Sequence, residues 1–149
     1  MRETPERLGR IVGLLLLVQF VVALVFNVFL LGPVISQPPG WIVNAAAQSL
    51  TVSMSVVLAL IADAIWLAIA VVAYPLFARA SLRTAVAFVA LTSVALALSA
   101  VENGHLLTLR SLSQAYAAAG TADRELFETL RVLFGSARNW AHYTHLMVT

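Results

Sequence analysis

Residues 11–31 read IVGLLLLVQFVVALVFNVFLL, without a charged side chain among them. At ~1.5 Å of rise per residue, a helix of this length matches the roughly 30 Å hydrocarbon layer of a bilayer. Arg7 and Arg10 flank the run on one side, and Thr4 with Pro5 supplies a cap and a first turn. A cleaved secretory leader, with Ser36 as the small residue before the cut, is the rival reading. The apolar run is longer than a normal signal core, which favours a spanning helix.

Working outward, no charge occurs between Arg10 and Asp63. Gly32-Pro33 and Pro38-Pro39-Gly40 predict a break over residues 32–40, because proline removes an amide donor and glycine permits turns. Trp41 follows where an interfacial aromatic belongs. A second span is predicted over about 50–74, ending at Pro75, and a third over about 84–109 after a short link that holds Arg79 and Arg83. Tyr74 is the belt residue of the opposite face.

Composition agrees: 61% of residues are hydrophobic and 11% charged, with a mean hydropathy of +0.92. A soluble domain carries about 25% charged residues. The apolar excess must therefore face lipid. The fold class expected is an all-α polytopic transmembrane bundle, one integral membrane domain over 1–149. The net charge of +2 comes from arginine alone. No basic stripe with interleaved aromatics is present, so nucleic acid is not an expected partner. The absence of cysteine excludes disulfides, thiolate metal sites and cysteine nucleophiles. Phosphate-binding glycine loops, Gly-x-Ser-x-Gly and His-Glu-x-x-His are absent as well.

Arginine distribution sets the expected orientation. Arg2, Arg7, Arg10, Arg79 and Arg83 lie in two short segments on one side, and the loop after the first span has none. That places the N-terminus in the cytoplasm of a cell-membrane protein. Arg110, Arg124, Arg131 and Arg138 fall on the other side, in a longer segment interleaved with Asp123, Glu125 and Glu128. There, beyond Gly120, residues 123–134 are predicted as an amphipathic helix along the outer surface. Leu126, Leu130, Leu133 and Phe134 share its apolar face, and Arg124 pairs with Glu128 at i,i+4. Gly135 permits a turn, and residues 137–149 begin a fourth membrane helix with Trp140 and Tyr143 at its interfacial end. Its apolar part stops after Leu146, Met147 and Val148, far short of the roughly 20 residues a span needs, so the chain is expected to lack its later helices.

Several features together resemble a known family. Arg10-Ile11-Val12-Gly13 leads into the first span, an acid lies within the second, and the third ends in a polar cluster. A surface helix then precedes Ala137-Arg138-Asn139-Trp140-Ala141-His142-Tyr143. The chain resembles, over its whole length, the bacterial membrane family catalogued as domain of unknown function 4386. The resemblance implies a multi-pass topology with further helices beyond this sequence, and assigns no activity and no site residue.

Polar groups at membrane depth need a reason. Asp63 shares a face with Ala59, Trp66 and Ala70, small and large residues suited to helix contact. Its plain reading is a neutral carboxyl bonded to a neighbouring helix; the alternative is a proton or cation relay. Glu102 ends a stripe of Thr92, Ala95 and Ser99, about 10 Å below the third span's outer end by the helix rise. His105 stands one turn above it and Asn103 points elsewhere. A descending fourth helix brings His145 to similar depth, with His142 shallower and Arg138 near the interface. Glu102, His105, His142 and His145 form the candidate cluster.

Three readings of it stand: a structural hydrogen-bonded network, a pocket for proton-coupled transport or a small ligand, and a metal site using His142 and His145 with His105 and Glu102, as in a membrane hydrolase, with haem ligation as a lesser variant. Gln19 and Asn27 are expected to bond to neighbouring helices, Asn27 within reach of the cluster. The function expected is non-enzymatic, as a structural, interaction or small-ligand-sensing component, with proton-linked transport second and a metal-dependent hydrolase third. No cofactor is expected. The expected partners are the lipid bilayer and other helices, including a homo-oligomer.

Overall fold

A computed structural model describes residues 4–119 and 123–148. Arg2, Gly120 and Thr149, named above, lie outside the described residues. Among those described there is no strand, and three helices are long and apolar enough to cross a membrane. The fold is an all-α polytopic membrane bundle.

Helix α1 (Pro5–Leu24) begins with Thr4 in extended conformation and proline in the first turn. The Thr4 carbonyl accepts from the Leu8 amide at 3.1 Å, but its side chain makes no capping bond. The break predicted over residues 32–40 starts later than expected. A π-helical segment, Val25–Leu31, follows α1, and α2 (Gly32–Ser36) continues it, so the first span runs Pro5–Ser36. The wider π turn explains how. The Gly32 amide donates to the Asn27 carbonyl, five residues back, and Pro33 falls in the first turn of α2, where its missing N–H removes little. A Cβ on Gly32 would sit 3.1 Å from that carbonyl, so glycine suits the close approach.

The chain turns at Gln37–Gly40. Gly40, at φ 107°, occupies a region that disfavours side chains and opens α3 (Trp41–Ala47), a short helix the sequence reading did not anticipate. The Asn44 amide ties α3 back, donating to the Gln37 carbonyl at 2.7 Å and the Val34 carbonyl at 3.3 Å. These bonds satisfy carbonyls at the end of α2.

Helix α4 (Ser49–Ala80) passes through Pro75 rather than ending there. Pro75 is exposed, beside an open groove between α4 and α5, and the rest of the backbone ladder carries the helix on. Ser81 then caps α5 (Leu82–Ala118), its Oγ accepting from the Thr84 amide at 3.2 Å. This tight turn makes α4 and α5 antiparallel neighbours. Their seam is built from small buried residues: Ala59, Ala62, Ala70 and Ala73 on α4, and Ala85, Thr92, Ala95 and Ser99 on α5. At 37 residues, α5 is about 55 Å long and projects beyond the apolar layer at its C-terminal end.

Residues 124–148 form one helix, α6 (Arg124–Val148), without a turn at Gly135. It returns antiparallel along α5, from the Tyr116–Phe127 edge-to-face pair (centroids 5.9 Å apart) to contacts on Glu102. Its inward face differs from the expected one. Phe127, Leu130, Phe134, Arg138, His142 and His145 are among the partly buried positions, while Leu126 and Leu133 are 58% and 62% exposed. In a continuous helix the polar residues that meet Glu102 set the rotation of the whole element. Glu128 pairs with Arg131 at 2.7 Å instead of with Arg124, an exposed pair of little energetic weight.

The continuity of α6 makes a prediction. A Cβ at Gly135 meets nothing within 4 Å. Gly135→Ala is therefore expected to stabilise the protein by about 0.5–1 kcal/mol in thermal unfolding, as in any open helix interior. A loss of stability would point to a turn at this position.

The core lies where the helices converge on α3: Leu31, Val34, Ala45, Val52, Val56 and Leu106, with Trp41, Leu60 and Leu107 against them. Ser113 on α5 donates to the Ile42 carbonyl and holds α3 in place. Most of the first span is exposed, Leu14, Leu17 and Phe20 on α1 and Phe29 on the π-helical segment among others, as a lipid-facing helix requires.

Candidate functional site

Glu102 is the hub. Its Oε1 lies 3.1 Å from His142 Nδ1 and 3.3 Å from Arg138 Nη2, and its Oε2 lies 3.4 Å from His145 Nδ1. The glutamate side chain is only 13% exposed and His145 16%, whereas His142 keeps 42%. Spacing on α6 accounts for the convergence: positions 138, 142 and 145 follow i, i+4, i+7 and line one face. Each imidazole presents Nδ1 to a carboxylate oxygen, which accepts when that nitrogen carries the proton.

One level deeper, a second polar chain joins α4 to α5. Ser99 Oγ donates to Asp63 Oδ2. Asn103 Nδ2 donates to the Ser99 carbonyl at 2.9 Å and to Ser99 Oγ at 3.1 Å. Asn103 was expected to point away from Glu102. It is 92% buried, its 8% exposure shared with the same interior space, because α5 turns this face toward α4.

Both chains open onto one cavity of about 140 Å³. Asp63, Ser99, Glu102, Asn103, Arg138, His142 and His145 line it, together with Asn27, Ser55 and the apolar Phe26, Leu31, Ala59, Leu106 and Leu146. The π-helical segment places Phe26, Asn27 and Leu31 on this wall; π turns occur often where a helix presents side chains to a site. A water occupies ~30 Å³ of liquid, so the space accommodates several waters or one small solute.

Of the residues singled out from sequence, the structure brings Asp63, Glu102, His142 and His145 to this cavity and adds Arg138 and Asn103. His105 does not join them. It is half-buried on α5 and lines neither this cavity nor the shallower one described below. Among the described residues, no three His, Asp or Glu side chains are placed to share a metal ion. Both histidines direct Nδ1 to Glu102, which Arg138 also engages. The cavity's hydroxyls are likewise committed, Ser55 to the Thr51 carbonyl at 2.8 Å and Ser99 to Asp63. A hydroxyl held this way is not paired with a histidine base. The arrangement can bind and orient a small polar species, and can pass protons along a chain of acceptors.

Sequence reasoning missed Asn103, Ser55 and the joint wall of four elements. The signal available for Ser55 was weak: it lies two turns before Asp63 on α4, at a spacing of eight.

The family model described as Domain of unknown function (DUF4386) matches residues 11–149, and the chain belongs to that family. Searches of the curated proteins and of the solved structures found no match.

Proposed function

We propose that this member of the DUF4386 family is a non-enzymatic, multi-pass protein of the cell membrane whose deep cavity receives a small polar ligand. One observation carries the reading. In a chain with 11% charged residues, Asp63, Glu102, Arg138, His142 and His145 come from three helices to one cavity of about 140 Å³. Ionisable groups at membrane depth are costly and mark functional sites by default. A purely structural network needs no space beyond that of a bridging water. Here the donors and acceptors of both signs border a cavity, which suits a small zwitterion or a hydrated ion better than an apolar compound.

The test is a thermal-shift screen of the purified protein against amino acids, amines, small carboxylates and monovalent cations. At least one class is expected to stabilise the wild-type protein and to lose its effect in Glu102→Gln. Stabilisation by none of them, or equal stabilisation of Glu102→Gln, counts against the reading.

A second reading, proton relay, is favoured by the stacking of the Asp63–Ser99 pair beneath Glu102 and its two imidazoles. In proteoliposomes with an internal pH dye, it requires a proton flux that Asp63→Asn abolishes.

The arginine distribution supports a cytoplasmic N-terminus. The chain has no cysteine, so single cysteines report topology without background. Ala80→Cys, at the α4 end, is expected to react with a membrane-impermeant thiol reagent only from the cytoplasmic side. Gln37→Cys, at the α2 end, is expected to react only from the opposite side. The reverse pattern would invert the protein.

A further inference from the structure

A second, shallower cavity of about 170 Å³ lies between α2, α3, α5 and α6. Ile35, Trp41, Leu106, Leu109, Arg131, Gly135, Arg138 and Asn139 line it. Its chemistry differs from that of the deep cavity. The polar residues on the wall are the indole of Trp41, the guanidinium groups of Arg131 and Arg138, and the amide of Asn139. No carboxylate is among the lining residues. Trp41 Nε1 and Arg138 Nε are buried and have no hydrogen-bond partner among the described residues. Buried donors left unpaired cost free energy, so both call for acceptor oxygens. Arg131 directs Nε to Glu128 at 2.7 Å, and its terminal amino groups remain for a further acceptor.

We infer that this cavity is a binding site for a phosphate-class oxyanion, distinct from the ligand proposed for the deep cavity. Two arginines at i,i+7 on α6 face one side of it, and guanidinium geometry matches a tetrahedral oxyanion. The other side is apolar, through Ile35, Leu106 and Leu109. Ile35 is 48% exposed, in the last turn of the first span. An oxyanion attached to an acyl chain fits both sides: the headgroup phosphate of an anionic lipid among the donors, its glycerol and chain along Ile35. Free phosphate shares the charged half of that recognition. Arg138 borders both cavities and holds Glu102 at 3.3 Å, so an oxyanion drawing on the same guanidinium acts on the wall of the deep site.

The experiment uses the full chain in non-ionic detergent, with two probes, inorganic phosphate and short-chain phosphatidylglycerol, at constant ionic strength. With Trp66→Phe and Trp140→Phe, Trp41 is the remaining tryptophan of the three and its fluorescence reports occupancy. Thermal stabilisation of the unmodified protein by the same probes gives the reading without those substitutions. A saturable response is expected, weakened about tenfold in Arg131→Gln, the loss expected for one charge-assisted hydrogen bond. Arg131 has an exposed side chain, 42%, and is absent from the deep cavity, so its replacement leaves the fold and the proposed ligand site in place. A response to both probes identifies a phosphate site, and a response to the lipid alone identifies a headgroup site. No saturable response to either, or an unchanged affinity in Arg131→Gln, overturns the inference.

Discussion

Glu102→Ala is expected to destabilise the protein by about 2 kcal/mol and to abolish ligand stabilisation altogether. The glutamate is the common partner of Arg138, His142 and His145. Removing it leaves a guanidinium without its counter-charge beside an interior cavity. Loss of one partner of a buried pair costs about 3–5 kcal/mol, and Arg138 retains 25% side-chain exposure, which moderates the penalty. His142→Ala, by comparison, removes a group 42% exposed at the cavity mouth and is expected to cost less than about 1 kcal/mol. Unfolding in detergent measures both. Equal, small effects would mean that Glu102 is not the hub.

Ser99→Val is expected to be at least as damaging to the fold, by about 3 kcal/mol. Ser99 is 2% exposed in the α4–α5 seam. Its hydroxyl donates to Asp63 and accepts from Asn103, so valine strands the Asp63 carboxyl and leaves the Asn103 amide only its bond to the residue 99 carbonyl. Each unmet buried group costs ~1–3 kcal/mol, and the added methyl groups crowd a seam of alanines. Asp63→Asn keeps an acceptor oxygen for Ser99 and is expected to lose much less. If the two variants melt alike, the hydroxyl is not the link between the helices.

The helical membrane class was legible because it rests on composition and on runs of apolar residues, which need no knowledge of neighbours. Boundaries were less so. Pro33 and Pro75 read as helix ends, since proline removes an amide bond. In the folded chain a π turn accommodates the first, and the second sits on an exposed face of a helix that the α5 seam holds together. Gly135 likewise read as a turn, but the run of contacts along α5 keeps α6 straight. Local propensity yields to tertiary packing in each case.

For the site, residue types and helical spacing singled out Asp63, Glu102, His142 and His145. Which of them meet depends on the antiparallel register of α5 and α6, a property of two segments more than 30 residues apart that no single stretch encodes. Asn103 illustrates the limit. It neighbours Glu102 in sequence and points about 100° around the helix from it, yet α4 packs close enough that both border one cavity. The cavity was not legible at all, because a void is defined by the fit of four elements rather than by any residue.

The central claim, that the deep cavity is a hydrated site and not a dry seam, is open to one direct measurement. In the cysteine-free chain, Asn27→Cys lines the cavity, and Val28→Cys, 55% exposed, faces lipid. Thiols react as thiolates, which form only where water reaches them. With a small cationic methanethiosulfonate reagent applied to the protein in bilayers, Asn27→Cys is expected to react at a rate approaching that of the loop variant Gln37→Cys, while Val28→Cys stays unmodified. An Asn27→Cys as inert as Val28→Cys would contradict the claim and leave Glu102 and its partners as a closed structural network.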